Sequence, residues 1–457
     1  MTSPRAADSP PLAAVDAECR PEPAPSLAEA SRVWLKIGCI GFGGPAGQIA
    51  LMHRIVVDEQ RWIDEARFLH ALNFCMLLPG PEAQQLATYV GWLLHRWKGG
   101  LIAGTLFVLP GAAVMMLLSV LFVLYRQLPL IDGIFYGIRC AVVALVVEAL
   151  IRIGRRALVR PLHRAIAVLS FLGIFALAVP FPLIILAAGL IGAAAARYEA
   201  ADAPRPTGVA SPPVDPVVTS FARPLPILFV GLVVWFAPTL VFVIRLGWDS
   251  SFSQVGLLFA KLAVVTFGGA YAVLAYVAEQ AVNVYGWLQP GEMLTGLGLA
   301  ETTPGPLILV VQFVAFLATY RHPGPFEPMV AGIVGGLLAT WVTFVPCFIW
   351  IFLGAPYLER LRRVRPLSAA LAAITAAVVG VIFNLALWFG LHVVFGHMDE
   401  RWLGPVRVYV PDLSSLDPAA LILTLAALLV VLRFRAGLAA TLIGTAAAGI
   451  AARFLFS

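Results

Sequence analysis

The sequence predicts an all-α polytopic membrane protein, made of two inverted homologous repeats that contain broken helices. Of its 457 residues, 60% are hydrophobic and only 12% are charged, whereas roughly 25% are charged in an average soluble domain. Apolar runs long enough to cross a hydrocarbon core of about 30 Å occupy most of the chain. The motifs FGGP at 42–45 and PGP at 79–81 recur as FGG at 267–269 and PGP at 304–306.

The apolar runs predict about thirteen transmembrane helices, because each is close to the length that spans a bilayer. The run HRIVVDEQRWIDEARFLHAL at 53–72 mixes charges with helical apolar spacing, which predicts an interfacial amphipathic helix anchored by Trp62. The thirteen segments lie at about 33–52, 72–94, 101–125, 131–153, 165–180, 181–196, 224–244, 255–277, 294–320, 329–357, 367–395, 418–434 and 437–456.

Composition divides the chain into four parts. Residues 1–30 are rich in Pro and Ala, lack the apolar core of a signal peptide, and are predicted to form a disordered tail. Residues 31–197 form the first predicted repeat and residues 224–457 the second. The polar, proline-containing run at 198–223 is the predicted linker between them.

Arginine clusters predict the orientation of the chain in the membrane. The clusters at 152–164 and 360–365 fall on the side of the N-terminus if every segment crosses, and excess Lys and Arg mark the cytoplasmic side. We therefore expect a multi-pass protein of the cell inner membrane with a cytoplasmic N-terminus. The net charge of +6 is scattered between apolar segments, so no nucleic-acid partner is expected.

The two halves of the chain share a measurable repeat. Shifting residues 36–81 by 225 positions gives twelve identities in 46 positions, where composition alone would give roughly four. After an eleven-residue insertion, 99–111 also matches 335–347. Because the first segment pairs with the eighth, an odd number of crossings apart, the repeats should face opposite ways, as in many secondary transporters.

The Gly and Pro motifs predict an anion site. Broken helices survive in a membrane only where protein or water satisfies the freed backbone groups, and a helix that restarts there presents N–H groups that attract an anion. The alternative is that these residues only kink helices. The expected substrate-binding residues are Phe42, Gly43, Gly44, Pro45, Gln48, Pro79, Gly80, Pro81, Gly268, Gly269, Pro304, Gly305 and Pro306.

Lys36 and Lys261 extend this predicted site. Both lie inside apolar segments, and each precedes its FGG by six residues. An ionisable residue at membrane depth is a functional candidate, and two ammonium groups would balance a dianion. The alternative is that each side chain reaches the membrane interface and acts as an anchor.

His53, Glu82 and Glu301 are the candidates for proton coupling, because a buried acid or histidine can exchange protons at physiological pH. The alternative for each is a structural contact or an exposed loop position. The five cysteines form no C-x-x-C pair and the seven histidines show no metal-ligand spacing, so neither a metal nor another cofactor is expected.

The motifs GFGGPAGQIALMH, CMLLPGPEAQQLATYVGWLLHR, TFGGAYAVL and TTPGPL resemble those of the chromate ion transporter family in its long, two-domain form. The likeness covers roughly residues 31–395. It implies a secondary transporter that exports chromate across the inner membrane by proton antiport and so confers chromate resistance. The second copy departs from the pattern, because it has FGGA where the first has FGGP.

Other functions stay open alongside this interpretation. Sulfate is a tetrahedral dianion like chromate and would satisfy the same donors, and an uncoupled anion channel would also use broken helices. A membrane enzyme is not expected, because the chain lacks the G-x-S-x-G, H-E-x-x-H and P-loop motifs. The expected partners are chromate or sulfate, protons and the lipid bilayer, with a homodimer left open.

Overall fold

A computed structural model describes residues 25–202, 224–267, 270–354 and 365–456. It confirms an all-α architecture. The α-helices are α1 Leu27–Ile40, α2 Gly44–His53, α3 Glu65–Cys75, α4 Glu82–Tyr125, α5 Pro129–Ala157, α6 Pro161–Phe175, α7 Phe181–Asp202, α8 Pro224–Leu246, α9 Ser251–Val265, α10 Ala270–Ala278, α11 Pro290–Thr302, α12 Val310–Arg321, α13 Pro328–Gly354, α14 Arg365–Val394, α15 Pro418–Arg433 and α16 Leu438–Phe456.

The helices are long and apolar enough for a polytopic membrane protein. Within the described residues, six have the length and composition of a membrane span, and five shorter apolar helices accompany them. Many large apolar side chains are exposed on the outside of α4, α7, α8 and α15. In water such a surface would aggregate, whereas hydrocarbon accommodates it without cost.

Helix α4 is two helices joined by a sharp reversal. Non-helical dihedral angles at His95 and Arg96, whose φ is +54°, divide it into a first arm at 82–94 and a second arm at 97–125. A Cβ built on Gly91 would lie 2.4 Å from the carbonyl oxygen of Gly99. The two arms therefore pack side by side at these glycines, and the first arm returns towards the interior.

The corresponding segments of the second half also turn back. The Ser251 hydroxyl donates to the His322 carbonyl at 2.7 Å, so α9 begins where α12 ends. Arg321, the last residue of α12, donates to Glu292 in the first turn of α11 at 2.5 Å. It also donates at 2.5 Å to the carbonyl of Trp287, which follows the π-helix Glu279–Val284 after α10. The pairs α9–α10 and α11–α12 thus begin and end at one end of the molecule.

This arrangement corrects the predicted topology. The segments 255–277 and 294–320 were each counted as one crossing, but each is broken into two helices of 15 residues or fewer that return to their starting end. Hydropathy measures only the length of an apolar run, and a hairpin of two half-length helices has the same length as one crossing. The count of about thirteen crossings is therefore too high.

The first-half helices approach the middle from the opposite end. His95 Nε2 lies 2.7 Å from the carbonyl oxygen of Pro25, so α1 begins beside the reversal of α4. Arg126, at the far end of the second arm, contacts Glu292 at 2.5 Å, beside the start of α9. We call the end at Arg126 the Arg126 end. Helix α5 starts there and runs back to the end that includes His95, which we call the Arg152 end. Helices α1 and α9 therefore point towards each other.

The same offset of 225 residues that relates the sequences relates the elements. Short π-helices occupy Arg54–Glu59 and Glu279–Val284. Each follows a short helix, which starts at the last residue of the first FGG motif and directly after the second. A left-handed residue follows each π-helix, Arg61 with φ +49° and Gly286 with φ +62°. In both halves, therefore, a short helix, a π-helix and a left-handed residue follow one another in the same order.

A two-stranded antiparallel hairpin, β1 Met398–Leu403 and β2 Val406–Pro411, lies between α14 and α15. The sequence analysis did not predict it. Arg407 of this hairpin is buried and donates to the Ile174 carbonyl at the end of α6 at 2.8 Å. It also forms an ion pair with Glu279 at 3.6 Å. The hairpin thus joins α6 to the π-helix that follows α10.

Two further boundaries differ from the sequence predictions. Helix α1 starts at Leu27, inside the predicted tail, because the Ser26 hydroxyl accepts the Glu29 N–H and caps it. The predicted linker starts within α7, and the remainder of that linker, 203–223, lies outside the described residues. Trp62 is 7% exposed and packs in the core, so it is not an interfacial anchor.

Candidate functional site

The broken helices of the two halves meet through a reciprocal pair of backbone hydrogen bonds. The N–H of Gly80, in the first PGP, donates to the Thr266 carbonyl at 2.9 Å, and the N–H of Gly305, in the second PGP, donates to the Gly41 carbonyl at 2.9 Å. Thr266 and Gly41 precede the FGG motifs of opposite halves. Each half therefore satisfies the break of the other.

Gln48 reinforces one of these junctions. It is fully buried in α2, and its Nε2 donates to the Gly41 carbonyl at 3.1 Å and to the Gly305 carbonyl at 2.5 Å. Gln85 holds the first PGP in the same manner, through Nε2 to the Pro79 carbonyl at 2.6 Å. The two amide side chains thus donate hydrogen bonds to backbone carbonyl groups at the breaks, where the helical hydrogen bonding is interrupted.

A small cavity of about 20 Å³ lies among the breaks. Its volume holds about one water molecule, so no tetrahedral oxyanion fits there in this conformation. Gln48 lines this cavity, and its Oε1 has no hydrogen-bond partner among the described residues. The predicted site residues that line this cavity are Pro45, Gln48, Gly80, Pro81, Glu82 and Pro306.

A second cavity, of about 820 Å³, opens beside the first break at the Arg152 end. It is large enough for a small hydrated anion, because ligand pockets commonly measure about 300 to 1,000 Å³. Its charged lining groups come from α5, from the end of α11 and from the turn between α15 and α16. Its lining includes Gly43, Gly44, Pro45, Glu148, Arg152, Arg155, Arg156, Tyr271, Glu301 and Arg435.

The start of α2 forms one wall of this large cavity. Gly43 and Gly44 have φ angles of +89° and +68°, which only glycine adopts without strain. A Cβ built on either residue meets no atom within 4 Å, so the backbone faces open space. No side chain caps this helix start, and the positive end of the helix dipole therefore faces the cavity.

The lining arginines of α5 share one helical face. Glu148, Arg152, Arg155 and Arg156 follow the spacing i, i+4, i+7, i+8 that places residues on one side of a helix. Arg152 forms an ion pair with Glu148 at 3.7 Å. Among the described residues, Arg155 and Arg156 have no carboxylate within ion-pair distance.

Glu301 brings the second half into the same cavity. This buried residue lies just before the second PGP, and its Oε1 accepts a hydrogen bond from the Tyr271 hydroxyl at 2.5 Å. Tyr271 is the second residue of α10. The pair therefore joins the two breaks of the second half where they face the cavity wall formed by α2.

The structure separates the two lysines from the cavities. Lys36 is exposed on α1 and lines neither cavity. The exposed Lys261 donates through Nζ to the Tyr276 hydroxyl at 3.2 Å and stacks over that ring. The two ammonium groups are thus not brought together with the backbone at the breaks.

The other predicted site residues are distributed as follows. His53 contacts Glu65 and lies 3.5 Å from Asp58, so it belongs to a surface ion cluster. Phe42 is half exposed, and the Pro304 carbonyl packs against Gly111. The N–H groups of Gly80 and Gly305 are not free for an anion, because carbonyl groups accept them. Gly268 and Gly269 lie outside the described residues.

The arginines of the large cavity were not predicted as site residues. In the sequence, the cluster at 152–164 predicts only a cytoplasmic loop, and no pattern distinguishes Arg435. Helical spacing along α5 was a usable signal, because three arginines and one glutamate recur at the spacing of one helical face. The convergence of α5 with the turn at Arg435 and with α2 is tertiary, and no local pattern reveals it.

Broken helices that meet inside an apolar helical bundle, beside an open cavity, define a multi-pass membrane transport protein. Comparison with known families makes the assignment more specific. A family model described as chromate transporter matches residues 28–193 and 253–450. Because the match covers most of both halves, the chain belongs to the chromate transporter family.

Individual relatives agree with this assignment. The chain is 32% identical over 382 residues to a chromate transport protein of Pseudomonas aeruginosa, covering 81% of this chain and 83% of that protein. It is 27% identical over 380 residues to a chromate transport protein of Cupriavidus metallidurans, covering 79% and 82%. No solved structure is significantly similar to the chain.

Proposed function

We propose that this protein is a secondary transporter that exports chromate across the inner membrane by proton antiport and thereby confers chromate resistance. Its N-terminus and its Arg152 end face the cytoplasm, where the arginine clusters would satisfy the positive-inside rule. Its halves act as two inverted repeats. Each repeat contributes two broken hairpins. The hairpins of the first repeat enter the membrane from the Arg152 end, those of the second repeat enter from the Arg126 end, and all four meet in the middle.

The reciprocal hydrogen bonds at the breaks carry this proposal. Gly80 with Thr266 and Gly305 with Gly41 are related by exchanging the two halves, as expected for repeats that swap roles during alternating access. In this conformation the centre holds about one water molecule, and the large cavity lies beside it at the Arg152 end, with Pro45 lining both. The conformation therefore corresponds to a state open to the cytoplasm.

The expected direction of transport follows from charge. Each elementary charge that crosses the membrane gains about 2.3 kcal/mol per 100 mV, and an inside-negative cell therefore expels a dianion. Proton entry adds a further driving force against steep gradients. Glu301 is the preferred coupling residue, because it is buried in the cavity wall, whereas His53 lies in a surface ion cluster and Glu82 borders the small cavity.

Sulfate export is the second candidate function. The arginines and the start of α2 that line the large cavity would recognise oxygen atoms and negative charge, which chromate and sulfate share. An uncoupled anion channel is the third candidate, and the closed centre counts against it, since a channel requires a continuous open path.

Transport by purified protein in proteoliposomes tests these functions. Labelled chromate and labelled sulfate are offered in parallel, with and without an imposed pH gradient, at a fixed membrane potential. Chromate flux that rises with the pH gradient supports proton antiport. Chromate flux that the pH gradient leaves unchanged rules out proton coupling, and preference for sulfate over chromate would replace chromate as the substrate.

A further inference from the structure

We propose that Arg152, Arg155, Arg156 and Arg435 form the oxyanion-binding site of the cytoplasm-facing state, with the start of α2 as its inner wall. This inference rests on the proposed function, because it identifies where that function begins. It moves the binding site away from the lysines and from the closed centre. The ligand class is a tetrahedral oxygen dianion, with chromate as the probe.

The arrangement of the arginines supports a ligand site. Arg435 occupies a left-handed backbone conformation with φ +52° in the turn between α15 and α16, which is uncommon for a residue with a side chain. Arg435 in that turn lines the cavity together with the arginines of α5. Arg155, Arg156 and Arg435 have no ion-pair partner among the described residues, so their charges are available to an anion.

The charge balance of the cavity fits a dianion. Four arginines and two glutamates, Glu148 and Glu301, line it, which leaves a formal excess of two positive charges. Arginine suits this task, because its planar guanidinium donates two parallel hydrogen bonds to oxyanions and remains charged in all conditions. A cation or a neutral solute would gain nothing from this lining.

The α2 wall supplies a second, independent contribution. Gly43 and Gly44 expose backbone to the same cavity, with no protein atom within 4 Å of a built Cβ at either position. An anion held by the arginines would therefore lie next to the uncapped start of α2, whose N–H groups and dipole attract negative charge. This contact connects the cavity to the broken centre through Pro45, which lines both cavities.

The arginine cluster of the 152–164 region divides accordingly. The orientation signal of a cytoplasmic loop requires only that arginines lie outside the hydrocarbon, and Arg160 and Arg164, beyond the end of α5, satisfy it without lining the cavity. The remaining three arginines share the cavity face of α5. Topology alone does not explain why they converge with Arg435.

Equilibrium binding of radiolabelled chromate to the full-length protein in detergent tests the site. The variants are Arg155→Gln, Arg156→Gln and Arg435→Gln, with Arg155→Lys as the charge-conserving variant. Arg32→Gln is the matched control, because Arg32 is exposed on α1 near the same end and lines neither cavity. Gel filtration of each variant establishes that it remains folded.

We expect each glutamine variant to raise the Kd for chromate about tenfold, as the loss of a charged hydrogen bond implies. Arg155→Lys should raise it less, and Arg32→Gln should leave it unchanged. The effect should shrink in high salt, which screens exposed charges. Wild-type affinity in all three folded glutamine variants would overturn the site.

Chromate uptake by the same preparations in proteoliposomes separates this inference from the proposed function. If chromate binding depends on the arginines but the wild-type protein takes up no chromate, the site is supported and chromate transport is rejected. If the wild-type protein takes up chromate, and the glutamine variants bind it and take it up equally well, the site is rejected and chromate transport is retained.

Discussion

The N–H of Gly305 donates to the carbonyl of Gly41 at 2.9 Å, across 264 residues of chain and between the two halves of the protein. Its counterpart, Gly80 to Thr266, has the same length. Neither half can therefore satisfy its own breaks, because each supplies an acceptor to the PGP of the other. The two halves are expected to fold and function only together.

Replacement of Gly80 should destabilise the protein more than replacement of a glycine with a similar backbone but free space. Gly80 has φ +118°, and an added Cβ would lie 2.9 Å from Gln85 Nε2 and 3.0 Å from Cys347 Sγ. We expect Gly80→Ala to lower the unfolding free energy by about 3 kcal/mol, from strain and overpacking together. Thermal unfolding in detergent measures this.

The matched control for that change is Gly247→Ala. Gly247 has φ +84° and no atom within 4 Å of a built Cβ, so only the backbone strain of about 1 kcal/mol should appear. Equal melting temperatures for the two variants would show that the first PGP is not packed as described.

Removal of the Gln48 amide should impair transport. Gln48→Leu keeps the volume approximately constant but leaves the buried Gly305 carbonyl without its side-chain donor, at a cost of about 1 to 3 kcal/mol. We expect slower uptake in proteoliposomes together with a lower melting temperature. Gln127→Leu, at an exposed position in the turn between α4 and α5, is the control and should behave like the wild type.

Neither lysine should be essential. Lys36→Ala removes an exposed charge that lines neither cavity, and Lys261→Ala removes a contact to the Tyr276 hydroxyl. We expect chromate uptake close to the wild-type rate for both variants, with unchanged apparent affinity. Severe loss in either would return that lysine to the substrate site and require a conformation in which its ammonium group reaches the centre.

Cysteine labelling should distinguish returning hairpins from crossings. In a Cys-free background, an impermeant maleimide should label Val284→Cys and Leu413→Cys from the same side, and Val159→Cys from the other. All three positions are well exposed, at 59%, 77% and 69%. If each apolar segment crossed instead, residue 284 would share its side with residue 159, and labelling from that side would contradict the hairpins.

Glu292 should be a major contributor to stability at the Arg126 end. Its carboxylate is 5% exposed and binds Arg126 and Arg321, each at 2.5 Å. Glu292→Ala leaves two guanidinium groups without their shared partner, and we expect a loss of about 3 kcal/mol in unfolding free energy. Glu59→Ala is the control, because its ion pair with Arg54 is exposed and should contribute less than about 1 kcal/mol. Similar effects of the two changes on thermal unfolding would contradict this role.

The sequence predicted the features that local chemistry determines. Gly43 and Pro81 interrupt helices whatever surrounds them, and the structure has a helix start at each. That the breaks of the two halves correspond as repeats stays a prediction. Apolar length predicted most of the long helices, such as α5 and α13, for the same reason.

Features that depend on tertiary packing escaped prediction. Whether segment 255–277 crosses or returns is decided by contacts such as Arg321 with Trp287, and hydropathy contains no information on them. The cavity arginines and the β-hairpin share this limit. Lys36 illustrates the converse, since its place in the repeated sequence pattern predicted a buried site, whereas its side chain is exposed.

Arg407 lies on the β-hairpin and bonds both α6 and the π-helix after α10. Within the described part of the first half there is no corresponding hairpin. Two perfectly matched repeats would give inward-facing and outward-facing conformations of equal energy, and the empty protein would spend half its time in each. The hairpin ties α6 to the π-helix after α10 at the Arg126 end only, and opening that end would break these bonds. The resting population should therefore favour the form in which the Arg126 end is closed and the large cavity is open at the Arg152 end, so that the empty protein mostly waits with one face accessible while the gradients alone set the net direction of flux.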